Sequence, residues 1–306
     1  MSSAIAAEHL GKVYAHAPPG VAALSEVSVD IPTGGVYGLI GRNGAGKTTF
    51  IRIAGTQLAA SSGTMRVLGH DIRTEERAIR ARIACVPQES RPLYFLRTEE
   101  VVYLYLKMRG MPTADARRRT RDALEELSLT EHRKRLVSRL SGGTRRRVMC
   151  AMVLASDADI MFLDEPTTGL DPLARREVWQ AIRRASREHS TILLTTHYLD
   201  EADALSHRLY IVERGRVIVT GTAEDLKRSV GGTLKVTIPA GRPEIERFRS
   251  FGSCVVDGEV LTVIVAPERL GELMDVAVRS GLSVTVGPVT LEEAFLRVVG
   301  RSINED

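Results

Sequence analysis

The segment Gly41-Arg42-Asn43-Gly44-Ala45-Gly46-Lys47-Thr48-Thr49 limits what this chain can fold into more than any other stretch. It fits the spacing G-x-x-x-x-G-K-[ST] and lies between two readable elements. Residues 36–40 are an apolar run that reads as a buried strand, and residues 48–54 read as the opening of a helix. A glycine-rich connection between such a strand and helix curls successive backbone N–H groups around a concave space. The helix adds its unpaired first donors and the positive end of its dipole. This is a cradle for nucleotide phosphates. Gly41, Asn43, Gly44, Ala45, Gly46 and Thr49 form its wall, and Lys47 reaches the β- and γ-phosphates. The Thr48 hydroxyl is placed to be a ligand of Mg²⁺.

The rest of the composition narrows the class. The chain has 306 residues, 43% of them apolar and 26% charged, as in an ordinary globular protein with one large or two modest domains. No run approaches the ~18 uninterrupted apolar residues of a membrane span. Nor does the N-terminus have the charged-then-apolar order of a secretory signal. Cys85, Cys150 and Cys254 have neither metal spacing nor a disulfide framework, which favours a reducing cytosol. The net charge is +4 but uneven, with basic side chains in excess over residues 1–230 and acidic ones over residues 231–306. The basic runs Arg117-Arg118-Arg119, Arg121 and Arg145-Arg146-Arg147 would suit nucleic acid or an anionic surface, but the expectation is a solvated helix face.

Along the chain, alternating segments at 5–14 and 24–31 flank a turn at 16–20, so a β hairpin precedes the cradle. Tyr14 ends the first of them. A turn is expected at 61–64, then strands at 65–68 and 83–86, the latter running into Gln88. Residues 89–140 are helical in pattern, with amphipathic stretches at 98–109 and 114–127, and read as an inserted subdomain. Ser141-Gly142-Gly143-Thr144 then opens another helix, a second anion-ready N-terminus. An apolar strand at 159–163 ends in Asp164-Glu165, and one at 191–195 ends in Thr196-His197. Carboxylates at the C-terminal end of a buried strand lie where ligands bind in open parallel sheets. Gly231-Gly232 is a candidate linker. The β-α-β-β-α-β order beyond it predicts a small ferredoxin-like domain.

Taken together, Gly41–Thr49, Gln88, the Leu140-Ser141-Gly142-Gly143-Thr144 stretch, the strand ending Asp164-Glu165, Gly169-Leu170-Asp171-Pro172 and His197 resemble, in fixed order, the nucleotide-binding subunit of ABC transporters. The resemblance covers residues 1 to about 230. It implies an α/β P-loop NTPase (ABC ATPase) fold with an N-terminal antiparallel β part, a parallel-sheet core, an inserted helical subdomain at about 89–140, and a small C-terminal α+β accessory domain over 231–306.

It also implies roles. ATP and Mg²⁺ are the ligands. Tyr14 stacks on adenine, and Thr48, Gln88 and Asp164 serve Mg²⁺, Asp164 through a water. Glu165 is the base that orients the attacking water, Gln88 and His197 report on the γ-phosphate, and Lys47 holds it. The Gly41–Thr49 loop already encloses its own phosphates, so Ser141, Gly142 and Gly143 act on the ATP of a second subunit, and Asp171 links the two sites. Two copies then sandwich two ATPs head to tail, a homodimer being favoured over a heterodimer. Thr144 departs from the glutamine common at that place.

The stretches Leu163-Asp-Glu-Pro-Thr-Thr-Gly-Leu-Asp-Pro172, Thr196-His-Tyr-Leu-Asp-Glu-Ala202 and Leu291-Glu-Glu-Ala-Phe-Leu296 are similar to ABC-2-type drug- and antibiotic-resistance exporters. That similarity implies a separate transmembrane permease docked near Leu93, Tyr94, Phe95 and Leu96, and a place on the cytoplasmic face of the membrane. The competing reading is a soluble ABC-type ATPase acting on nucleic acid or ribosomes. The single phosphate loop and the short separation between Lys47 and Ser141 disfavour it, and no nucleic-acid partner is expected.

Overall fold

The structure is a computed structural model that describes residues 2–15, 21–86, 94–187, 190–230, 234–239 and 247–304. The chain forms two compact units, Met1–Thr220 and Gly221–Asp306. In the first, β1 (Ser3–Lys12) pairs antiparallel with β2 (Leu24–Pro32), and β3 (Gly35–Ile40) runs into α1 (Lys47–Ala54). β4 (Ser62–Val67) and β5 (His70–Asp71) complete an antiparallel sheet of order β2-β1-β4-β5. Residues 62–64, expected as a turn, belong to β4 instead. Thr64 and Ser62 find partners across β1 at Glu8 and Gly11, so pairing overrides their local turn preference.

After α2 (Glu76–Arg82) and β6 (Ile83–Val86) come α3 (Thr98–Met108), α4 (Thr113–Glu126) and α5 (Gly142–Leu154). The unit closes with β7 (Ile160–Asp164), α6 (Pro172–Arg187), β8 (Thr191–Thr196), α7 (Leu199–Leu205), β9 (Arg208–Glu213) and β10 (Arg216–Gly221). The main sheet has the order β10-β9-β3-β8-β7-β6, parallel from β9 to β6. Its central strands are buried on both faces, which is why 160–163 and 192–194 read as continuous apolar runs. The faces still alternate. Met161, Leu163, Ile192 and Leu194 pack with the helical block, whereas Phe162, Leu193 and Leu39 pack with α1 and the antiparallel sheet. Two separate cores thus clamp one sheet. The C-terminal ends of β3, β7 and β8 emerge side by side, paired as Ile40 with Thr196 and Asp164 with Thr195.

The arginines of 145–147 are not the solvated face expected of them. Arg146 is buried, and Arg147 pairs with Glu177 at 3.1 Å while donating to the Leu127 carbonyl. Arg145 stacks over Tyr94 and donates to the Leu140 carbonyl. Helix α5 is packed on several sides, so its cations are consumed inside the fold. Those of α4 stay near the surface, with Arg118 on Asp115 and Arg119 on Asp157.

In the second unit α8 (Ala223–Arg228) opens with a capping box between Thr222 and Asp225. β11 (Leu234–Pro239), β12 (Gly252–Asp257), β13 (Val260–Val265) and β14 (Thr285–Pro288) form an antiparallel sheet of order β12-β13-β11-β14. α9 (Leu270–Arg279) lies between β13 and β14, and α10 (Leu291–Asn304) packs with α8. Phe248, Val236, Ile238, Leu261, Val263 and Leu273 make this unit's own core. The contacts thus place residues 221–230 with the C-terminal unit, and the candidate linker Gly231-Gly232 lies outside the described residues. Of the helix expected at 243–251, residues 243–246 lie outside the described residues, and Arg249–Phe251 form a 3₁₀ turn.

Candidate nucleotide site

Gly46 stands at φ 109°, a left-handed conformation that lets the loop turn directly into α1. The same residue explains why nothing larger fits, since a Cβ there would sit 2.4 Å from the Ala23 carbonyl oxygen. Gly44, at φ 83°, faces open space. Inside the loop the Lys47 ammonium donates to the carbonyls of Gly41 at 2.7 Å and Arg42 at 3.0 Å. Burial draws its pKa down, against the opposing pull of Glu165 and Asp164. A cavity of about 300 Å³ opens over these groups, lined by Tyr14, Asn43, Gly44, Gly46, Lys47, Thr48, Thr49 and Glu165. Tyr14 thus shares the cavity with the loop, and its hydroxyl lies 3.2 Å from Thr49 Oγ1.

At the far wall Thr48 Oγ1 donates to Asp164 Oδ1 at 3.2 Å, and the Thr195 hydroxyl donates to the same oxygen. A hydroxyl and a carboxylate in contact are hard oxygen donors of the kind a small divalent cation takes. Glu165 follows Asp164 at φ 51°, an uncommon conformation for a glutamate. That turn swings its carboxylate into the cavity. Its N–H donates to both Thr195 oxygens at 3.1 Å, its Oε2 accepts from Thr168 Oγ1 at 3.2 Å, and His197 Nδ1 lies 3.3 Å from its Oε1. A carboxylate held beside an imidazole at the mouth of a phosphate cradle has the groups that acid–base chemistry on water needs. Thiol chemistry is not on offer, since burial pushes Cys85 and Cys150 up to about 12.

Not every expected residue is gathered here. Gln88 and Leu93 lie outside the described residues. Ser141, Gly142 and Gly143 do not line the cavity among the described residues. Ser141 caps α5, its Oγ accepting from the Thr144 N–H at 3.2 Å, and the two hydroxyls are 2.8 Å apart. Asp171 caps α6, accepting from the N–H groups of Leu173 and Ala174 at 3.0 Å, and these bonds hold its carboxyl below the usual range.

Three supports were not anticipated. Thr195 touches both acids, Arg146 donates to the backbone carbonyls around them, and Glu201 anchors Thr167. The Thr195-Thr196-His197 stretch carried a signal for the first. Arg146 belongs to a run read as a solvated face and Glu201 had no role assigned, and only tertiary packing buries them.

A family profile described as ABC transporter matches residues 24–168. The daunorubicin/doxorubicin resistance ATP-binding protein DrrA of Streptomyces peucetius is 36% identical across 99% of this chain and 94% of its own length. A Nod factor export ATP-binding protein I of Paraburkholderia xenovorans is 35% identical over 91% of this chain and 92% of its length. A solved structure of an ATP-binding subunit of an ABC transporter superposes with a TM-score of 0.68 at 26% identity, covering 75% of this chain and 94% of that one. With relatives this similar over nearly the full length, and with the phosphate cradle and its acids in place, the chain belongs to the ATP-binding, ATP-hydrolysing subunits of ABC transporters, in the branch of the ABC-2-type exporters.

Proposed function

We propose that this subunit drives export of a drug, antibiotic or lipid-like compound through a separate ABC-2-type permease, by ATP-dependent dimerisation followed by hydrolysis. Support for the cargo class comes from the relatives, which are named for daunorubicin/doxorubicin resistance and Nod factor export. For the chemistry, the carrying observation is the turn at Glu165, which sets its carboxylate in the cavity beside His197.

Glu165 orients and deprotonates the attacking water, and such a base contributes ~10²–10⁴-fold. His197 donates from Nδ1 toward Glu165 Oε1, 3.3 Å away, and ties that carboxylate to the γ-phosphate. Lys47 and the loop N–H groups hold the phosphates, and Tyr14 packs the adenine. Thr48, Asp164 and Gln88 would hold Mg²⁺, which supplies charge neutralisation at the phosphates. Ser141, Gly142 and Gly143 lie away from this chain's cavity, which fits their serving the nucleotide of a second copy, with Asp171 at the junction. Phe95, 73% exposed while Tyr94 and Leu96 pack against the helical core, is the best-placed apolar contact for the permease. No described helix is long and apolar enough to cross a membrane, so the permease would hold the subunit at the cytoplasmic face.

The test is Glu165→Gln in the full chain. Binding of a fluorescent ATP analogue should persist, turnover should fall at least 100-fold, and ATP should now trap a dimer on size exclusion. Hydrolysis near the wild-type rate would remove Glu165 from this role.

A further inference from the structure

We propose that Arg146 is a positioning residue for Glu165, gripping from behind the turn that aims the base. The inference rests on the assignment of Glu165 above and goes one layer deeper. Arg146 sits on α5, five residues after the Ser141 that opens that helix, and only 9% of it is exposed. Its guanidinium reaches three successive carbonyls. Nη2 donates to those of Asp164 and Glu165, the latter at 2.7 Å, and Nε donates to that of Pro166 at 3.3 Å.

Taking a guanidinium out of water is costly unless its donors are satisfied, so a buried arginine spent on one turn constrains that turn closely. The turn needs constraint. A glutamate at φ 51° sits in a region that disfavours L side chains and persists only where its surroundings over-determine it. Thr195 holds the Glu165 N–H from the sheet side, and Arg146 holds the carbonyls from the helix side. The planar fork matters. Its fixed donors match several backbone oxygens at once, which the compact ammonium of lysine does not. The same helix begins at Ser141, so a shift of its N-terminus is passed through Arg146 to the base.

The experiment compares Arg146→Lys and Arg146→Gln with wild type and with Glu165→Gln in the full chain. Melting, fluorescent-ATP affinity and single-turnover hydrolysis are measured for each. The expected result is analogue affinity within 2-fold of wild type and a hydrolysis rate at least 10-fold lower. In addition, the Arg146→Lys effect should collapse to under 2-fold when combined with Glu165→Gln, because the residue acts only through that carboxylate. Unchanged hydrolysis in both arginine variants overturns the proposal. So does an equal loss with and without Glu165, or a variant that no longer folds or binds nucleotide, since the grip is then a general structural one. Near-wild-type hydrolysis in Glu165→Gln alone would instead sink the base assignment.

Discussion

Glu201 is fully buried, and its charge makes a sharp prediction possible. Its Oε1 accepts from Thr167 Oγ1 and from Trp179 Nε1, each at 2.9 Å, so one carboxyl group ties α7 to α6 and to the turn that follows Glu165. Burial raises its pKa above the ordinary glutamate value, against the hydrogen bonds of Thr196, Thr167 and Trp179 and the charge of Arg175. The folded chain therefore holds this proton more tightly than the unfolded one. Stability from this group is fullest below the unfolded carboxylate pKa of about 4.3, and declines as pH rises from there through the raised folded value. Within that window each pH unit is worth about 1.4 kcal/mol.

Glu201→Gln keeps a carbonyl acceptor for Thr167 and Trp179 and removes the titration. Its stability relative to wild type should climb by up to about 1.4 kcal/mol per unit as pH rises from 5, then level off. Glu201→Ala leaves the buried Thr167 hydroxyl unpaired, at about 1–3 kcal/mol, strips the half-buried Trp179 N–H of its acceptor, and should be destabilised at every pH. The chain has one tryptophan, and it is Trp179 itself, so urea unfolding at pH 5, 6, 7 and 8 can be followed by fluorescence at this very contact. If wild type and Glu201→Gln show the same dependence of stability on pH, the folded state is not holding the proton and the reasoning fails.

Other outcomes follow from the same geometry. Gly41→Ala would push a Cβ to 2.2 Å from the Val212 carbonyl oxygen, so it should cost about 1–3 kcal/mol in thermal unfolding and weaken nucleotide binding. Gly44→Ala meets nothing within 4 Å and pays only for its φ of 83°, about 1–2 kcal/mol, so a larger loss there than at Gly41 would contradict the packing around the loop. Tyr14→Leu should raise the KM for ATP several-fold with little change in kcat, and Tyr14→Trp should restore it, since a ring face on a base is worth about 1–3 kcal/mol. Equal KM values for wild type and Tyr14→Leu would take adenine stacking away from Tyr14.

Some of this protein was legible residue by residue. The glycine spacing of the loop has one sterically sensible outcome, because only glycine fits at Gly41 and Gly46 against the Val212 and Ala23 carbonyls, and Gly44 takes a positive φ that other residues resist. The apolar runs ending in Asp164-Glu165 and Thr196-His197 could only be central parallel strands, and strands in one parallel sheet deliver their C-terminal tips to one edge. Local pattern therefore carried the strands and the loop, the family resemblance carried the fold class, and together they named the residues that line the cavity. The fate of the charged residues lay outside it. Arg146 and Arg147 occur in the same run of sequence, yet one donates to the carbonyls of the Glu165 turn and the other pairs with Glu177. Glu201 likewise looks like one more acid on a short helix. Burial of a charge depends on which neck of the fold closes over it, and that is settled by contacts across tens of residues: Arg146 with Glu165, Glu201 with Thr167 and Trp179. The sequence by itself determined that Lys47, Thr48 and Glu165 gather where a glycine-rich loop meets the tips of parallel strands. Only the tertiary structure decided which buried charges hold those groups still, because the desolvation that makes such charges matter does not exist until the chain has packed around them.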